Sequence, residues 1–369
     1  MSGPRASRRI VLAYSGGLSG SIAIRTLADA ADAPEVITTT LDLGQPGELE
    51  EVRDRALAIG AARAHVLDVR DEFARDYVSR ALRADALGDD RQPIIPALAS
   101  PLIARKLVEI AAIEQTDCVA HGATDAAAGA RIEAGVRALN PAITVVAAAR
   151  EAAMGRLDAI EYAARHGIVV PATADMPHGV DSNMWGRVVA CALDTWDEPP
   201  EALFTLTRGA AACPTEAAYL EIAFERGVPD AVNGVSMPLI DVIATVGMIA
   251  GTHGVGRLDI AGSRVRDVGE APAAVVLHAA HAELQKLVTS KEAAQFSRRV
   301  SREYADVIDR GTWFSPLREA LDAYVDRMQQ RVTGAIRVRL LKGDARIVGR
   351  KPAEPKIAER RLRVVGQAH

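Results

Sequence analysis

The chain has 369 residues, 49% of them apolar and 25% charged, with a net charge of -4; at about 100–200 residues per domain this suggests two or three globular domains with a sizeable core. The mild acidic balance gives no electrostatic case for a nucleic-acid or membrane-surface partner, and no run of about 18 apolar residues suggests a membrane span. Three isolated cysteines, Cys118, Cys191 and Cys213, form no CxxC pair, which argues against a disulfide framework or a zinc site and for a reducing cytoplasm.

In chain order, Met1–Arg9 is basic, but the apolar stretch after it is too short for a signal segment. Arg9–Tyr14 reads as a strand covered on both faces, and Ser21–Ala31 as a helix. Glu35–Leu41 is a second strand, and Glu48–Ile59 a helix with Leu49, Val52, Ala56 and Ile59 at helical spacing. His65–Val69 and Glu72–Ala84 give a third strand and helix. Pro101–Glu114 is a helix with Pro at its start. Asp117–Ala120 and Ile143–Ala149 supply further strands. This alternation predicts a parallel sheet whose ligands bind beyond the carboxyl ends of its strands. Ser15–Ser21, Asp42–Gln45 and His121–Thr124 should therefore share one rim.

From near residue 169 the content is mixed. Thr173–Asn183 and Asp194–Pro200 read as loops. Leu220–Ala223, Val228–Val232 and Val255–Ile260 read as short strands, and Met237–Ala250, Ala271–Val288, Lys291–Ile308 and Pro316–Val332 as helices. Ala335–Leu341 and Ala345–Val348 read as a hairpin. We expect an α/β nucleotide-binding domain over residues 1–168 and an α+β domain over 169–369.

The segment with the sharpest chemistry is Ala13-Tyr14-Ser15-Gly16-Gly17-Leu18-Ser19-Gly20-Ser21. Glycines admit positive φ and close backbone approach to an anion. Free N–H groups and the dipole at the following helix start favour phosphate, and Ser15 and Ser21 add hydroxyls. A plain strand–turn–helix link is the bland alternative. The segment is not a Walker loop, which needs a Gly-Lys-Ser/Thr ending. Other candidates carry bland alternatives too. His121 suits a loop-orienting residue better than a base. Asp125 suits a turn former or cap. Asp42 suits a cap or a metal contact equally. Trp185, Trp196 and Trp313 suit packing better than a stacking platform. The basic residues between Arg337 and Arg363 lack aromatic interleaving and suit a solvated or subunit-facing surface.

The SGG loop resembles that of the ATP pyrophosphatases (the adenine nucleotide alpha hydrolase-like fold). Within them the chain resembles the argininosuccinate synthase family over almost its whole length. The resemblance rests on IVLAYSGGL (Ile10–Leu18), DLGQPGELEEVR (Asp42–Arg53), PLIARKLVEIA (Pro101–Ala111), VAHG (Val119–Gly122), NMWGR (Asn183–Arg187), HGVGR (His253–Arg257), WFSPLREALDA (Trp313–Ala323), RVTG (Arg331–Gly334) and VGRK (Val348–Lys351). It implies an ATP-binding α/β domain plus a synthetase domain, in a homotetramer. It also implies an AMP-forming ligase that adenylates the ureido oxygen of citrulline and lets the aspartate amine displace AMP, with Mg2+ accompanying ATP. Ala13 to Ser21, Leu41 and Gly122 would then contact the nucleotide, and Thr124 and Arg131 the amino-acid-like substrates.

Several positions depart from that family's pattern. Ser19-Gly20 stands where it carries Asp-Thr, Gln92 lies in the segment where it has Tyr, and Pro96 stands where it has Thr. Asp125-Ala126-Ala127 replaces an Asn-Asp-bearing loop, and Gly179 and Val188 fall where serines face the acceptor. The matching Glu and Tyr fall at about Gly262 and Gly269, and a short basic tail replaces the family's C-terminus. Losing a charge-assisted hydrogen bond costs about 1.5–3 kcal/mol, so we expect an altered acceptor. The alternative is a non-catalytic relative that keeps the fold and assembly surface. Nucleotide or tRNA modification is disfavoured by the absent CxxC pair and the acidic balance.

Overall fold

The computed structural model describes residues 8–30, 33–88, 91–170, 178–261 and 265–353. The chain divides into two compact units, each built from separated segments: Met1–Arg70 with Pro96–Gly179 and Ile308–Ser315, and Asp71–Ile95 with Val180–Val307 and Pro316–His369.

The first unit is the parallel α/β layer that the alternation predicts. In chain order it begins with β1 (Arg9–Ala13), α1 (Leu18–Ala28), β2 (Glu35–Asp42), α2 (Leu49–Ile59) and β3 (Arg63–Asp68). The helical run that follows, α3 (Arg70–Phe73), a π-helical stretch (Ala74–Val78) and α4 (Ser79–Ala84), falls almost entirely in the second unit. The first unit resumes with α5 (Pro96–Ile113), β4 (Cys118–His121), α6 (Ala126–Leu139), β5 (Thr144–Ala147), α7 (Ala148–Ala152) and α8 (Arg156–Arg165). The sheet order is β3-β2-β1-β4-β5, all parallel, with Ala13 registered opposite Thr39 on one side and His121 on the other.

The apolar run of β1 serves two cores. Ile10 and Leu12 point into one with Ile24, Val36 and Ala120, while Val11 points into the other with Ile37, Leu107, Val119 and Val136. That division explains why the strand is apolar without alternation. The second core depends on close contact between α5 and α6, because a Cβ on Gly135 would lie 2.7 Å from the Ala104 Cβ. Segment Ile308–Ser315 completes this side. Gly311 (φ +70°) lies against Arg131, and Phe314 lies by Gly135 and under the Arg105 guanidinium.

Some sequence readings need correction. Helix α1 starts at Leu18 rather than Ser21, so Leu18, Ser19 and Gly20 form its first turn. Pro101 lies inside α5 rather than at its start and is buried there; Pro96 takes the first position, where no amide is needed. The stretch after Asp125, read only as a loop, is helix α6, because Asp125 caps it. The strand read over Ile143–Ala149 yields to α7 at Ala148. In the second unit, Gly179–Asn183 is a strand rather than a loop, and residues 171–177 lie outside the described residues, as does the basic tail beyond 353.

The second unit holds two sheets. Its strands are β6 (Gly179–Asn183), β7 (Gly186–Asp194), β8 (Ala218–Glu225), β9 (Val228–Val232) and β10 (Val235–Ser236), then, after α9 (Leu239–Thr252), β11 (Arg257–Ala261) and β12 (Val265–Glu270). Helices α10 (Pro272–Val288), α11 (Lys291–Asp309) and α12 (Pro316–Gln329) precede the hairpin β13 (Gly334–Leu341) and β14 (Asp344–Pro352). The sheets run β10-β9-β8-β13-β14 and β11-β12-β7-β6. Trp185 and Trp313 are buried, but Trp196 is 94% exposed, which corrects its reading as a packing residue.

Two buried polar groups organise this unit. Glu270, 1% exposed, accepts hydrogen bonds from the amides of Thr205, Leu206 and Thr207, from the Thr207 hydroxyl and from Arg187. Arg257 clasps the same turn through Thr207 and Glu201. Glu270→Ala would strand Arg187 and the amides without a partner, and is expected to cost about 3–5 kcal/mol, read as a lower denaturant midpoint.

His281 is wholly buried, with Nε2 2.8 Å from the Gln329 Oε1, and burial pushes its pKa down to about 4. The unfolded chain takes up this proton near the ordinary histidine value, so stability is present above it and is lost as pH falls toward 4. The loss from this group is expected to be about 3 kcal/mol. Urea midpoints of the wild type and His281→Gln, measured from about pH 7 to about pH 4, should converge or cross on the acid side.

Candidate functional site

The rim beyond β1, β2 and β4 is where a parallel sheet binds ligands, and the backbone there leaves several amides without partners. β1 ends at Ala13, and the Tyr14 amide still bonds the Thr39 carbonyl at 3.0 Å. Ser15 and Gly17 are exposed. Gly16 turns at φ +82°, a left-handed conformation that glycine adopts without strain. Gly17 is the N-cap of α1 in extended backbone, with no side chain capping the helix and no acidic residue in its first turn. The first bond of the helix is Ser21 N–H to the Gly17 carbonyl, so the amides of Leu18, Ser19 and Gly20 have no intrahelical partner. An uncapped N-terminus behind a glycine turn presents directed N–H groups and a positive dipole end.

The loop is braced from three sides. Gly20 sits under Tyr14, where a Cβ would lie 2.9 Å from the ring, and a Cβ on Gly122 would lie 3.1 Å from the Gly20 backbone. The structure thus brings Gly122, at the end of β4, against Ser19 and Gly20. The Tyr14 hydroxyl meets the Ser21 hydroxyl at 3.0 Å in the interior. Burial raises the Tyr14 pKa, against the opposing Ser21 hydrogen bond and the nearby Arg55 charge. From α2, Arg55 donates to the Gly16 carbonyl at 3.0 Å. Sequence reading missed Arg55: it is one of several charged residues in GELEEVRDR, and nothing in that spacing marks it out.

The remaining candidates have partners within the same unit. Leu41 is half-buried and its carbonyl accepts from Gln45, whose Oε1 takes the Leu43 amide. Asp42 accepts from the Gly44 amide and stands 3.3 Å from Arg70. His121 is buried and its pKa is lowered by desolvation. Its Nδ1 lies 3.3 Å from the Ala123 amide and its Nε2 3.5 Å from Glu133, without a hydrogen bond to it. A neutral ring accepting at Nδ1 orients the turn that carries Gly122. Thr124 is exposed. The side chain of Asp125 caps α6 at Ala128. Arg131 donates to Asp309 and lies 3.8 Å from Asp125, while its buried Nε has no hydrogen-bond partner among the described residues.

A five-stranded parallel sheet with an uncapped glycine turn at its carboxyl rim defines a nucleotide-binding α/β protein, and comparison with known proteins agrees. Residues 9–169 match the model of the arginosuccinate synthase N-terminal HUP domain, and residues 178–362 that of the arginosuccinate synthase C-terminal domain. An argininosuccinate synthase of Geobacillus thermodenitrificans is 43% identical over 354 residues, covering 94% of this chain and 87% of the relative. One of Dehalococcoides mccartyi is 42% identical over 353 residues, with the same coverage. The chain belongs to the argininosuccinate synthase family and is an enzyme, a ligase forming carbon–nitrogen bonds. Among the described residues no helix is long and apolar enough to cross a membrane.

The Gly20–Gly122 approach gives a direct test. In Gly122→Ala the new methyl meets backbone, which cannot move aside as a side chain can. Overpacking of this kind costs about 1–3 kcal/mol, and here it falls on the loop. ATP affinity is therefore expected to drop, by calorimetry, by more than the melting temperature alone would suggest.

Proposed function

We propose that this enzyme is an ATP-dependent, AMP- and pyrophosphate-forming ligase acting on a ureido acceptor and an amino donor, with citrulline and aspartate, the pair of its family, as the substrates to test first. The observation that carries the reading is the uncapped N-terminus of α1 behind Ser15-Gly16-Gly17 in a chain matched along 94% of its length by argininosuccinate synthases. In the reaction, the ureido oxygen attacks the α-phosphorus of ATP and pyrophosphate leaves. The donor amine then attacks the ureido carbon, AMP departs with the oxygen, and the amine gives up a proton. The Gly17, Leu18, Ser19 and Gly20 amides supply fixed donors for phosphate charge, and preorganised donors of this kind lower such barriers. Holding acceptor and ATP in line supplies the rest. Thr124 and Arg131 are assigned to the amino-acid-like substrates, and a homo-oligomer is part of the same reading.

Mg2+ belongs with ATP in this reading, but the chain offers it little. No acidic side chain lies between Ala13 and Ser21. Asp42 is engaged by Gly44 and Arg70, and the described residues hold no cluster of three or more groups suited to a metal ion. Mg2+ is usually held by one or two carboxylates together with substrate phosphates. The loop residues do not fit a protein-held ion, and no step is derived through one.

Isotope exchange between ATP and pyrophosphate tests the reading. Citrulline-dependent exchange, followed by AMP release on adding aspartate, is the expected result. Exchange only with another ureido compound would establish an altered acceptor. Absence of ATP binding by calorimetry would overturn the ATP-dependent reading.

A further inference from the structure

The phosphate loop has one brace whose chemistry goes beyond packing. Helix α2 runs past the loop, with Val52 and Arg55 against Gly16: a Cβ there would lie 3.0 Å from a Val52 methyl and 3.2 Å from the Arg55 Nη1. That nitrogen donates to the Gly16 carbonyl at 3.0 Å. In a trans peptide the carbonyl and the following N–H point in opposite directions. Fixing the Gly16 carbonyl toward α2 therefore turns the Gly17 N–H away from α2, and Gly17 is exposed. A carbonyl free to rotate would bring its negative end toward the anion site in some conformations. The Arg55 bond removes those conformations.

The charge of Arg55 matters as well. Arg53, two residues back and on the other side of the same helix, is paired with Asp54. Arg55 has no carboxylate partner among the described residues; its interactions are with the Gly16 carbonyl and the neighbourhood of Tyr14. A guanidinium carries five donors, and one of them is used at Gly16. The loop it touches holds no carboxylate to recruit a metal ion. An un-neutralised cation thus lies against a phosphate loop that lacks acidic groups.

We propose that Arg55 is a positioning residue for the nucleotide: it aims the Gly17 N–H at the bound phosphates and supplies positive charge at the loop, making ATP binding less dependent on a divalent ion. This rests on the reading that the loop binds ATP. The test uses the full chain as wild type, Arg55→Met, Arg55→Lys and, as a control on the same helix, Arg53→Met. Affinities for ATP and for adenosine are measured by calorimetry, with Mg2+ and with EDTA.

Wild type should bind ATP in both conditions. Arg55→Met should lose about 10- to 100-fold in ATP affinity, the scale of one charge-assisted hydrogen bond. Its adenosine affinity should hardly change, and its ATP loss should be larger in EDTA. Arg55→Lys should fall between, keeping charge but losing the planar fork, and Arg53→Met should match wild type. Equal losses for ATP and adenosine in Arg55→Met would mean general damage and would overturn the proposal, as would an unchanged ATP affinity. The adenosine ratio stays informative even if Arg55→Met is less stable. If the wild type binds no ATP, the ATP reading fails first, a result distinct from a wild type that binds and an Arg55→Met that binds equally well.

Discussion

Backbone crowding at the carboxyl rim of the first sheet governs the site. β1 and β4 are neighbours, with Ala13 opposite His121, so the turns that leave them emerge side by side. A Cβ at residue 20 would press on the Tyr14 ring and one at residue 122 on the Gly20 backbone, and α2 presses on residue 16 from behind. Glycine at all three places is the steric solution. Beside them, the Leu18, Ser19 and Gly20 amides of the first turn of α1 stay without intrahelical partners.

This crowding also bears on the departures from the family pattern. Gly20 stands where a hydroxyl-bearing residue is expected, and it packs directly under Tyr14. Asp125, in the replaced loop, caps a helix. At these positions the residue present does a structural job visible in this chain. NMWGR and HGVGR, two stretches on which the resemblance rests, likewise have structural jobs in the second unit. Arg187 pairs with Glu270, and Arg257 with Glu201 and Thr207. Gly186 and Gly256 each lie where a Cβ would meet the backbone around Glu270 to Pro272.

The sequence made β1 and its loop legible because an unbroken apolar run followed by Ser-Gly-Gly has few other uses. Local pattern was weaker where local chemistry was silent. Ala126-Ala127-Ala128-Gly129-Ala130 has no apolar period, so α6 was recognisable only through its cap. The span Gly186–Asp194 mixes Arg, Val, Ala, Cys and Asp, and its strand character comes from pairing with Val265–Glu270 far along the chain. Glu270 takes its donors from some 65 residues away, and Arg55 reaches a carbonyl 39 residues back. Such groups are set by topology, and no window of sequence contains both partners.

The interleaving of the two units reaches into how the protein is made. The first unit takes its last piece, Ile308–Ser315, from late in the chain, and that piece carries the Gly311 contact to Arg131 and the Phe314 contact to Gly135. A ribosome delivers the parallel sheet and its glycine loop long before it delivers this closing segment. Domains in general fold as they emerge, N-terminal first; here the flank of α6 that bears Arg131 stays uncovered until residue 315 has been added. The first unit can thus take its basic shape early in synthesis, while the flank that bears Arg131 is finished only after more than a hundred further residues, those of the second unit, have been made.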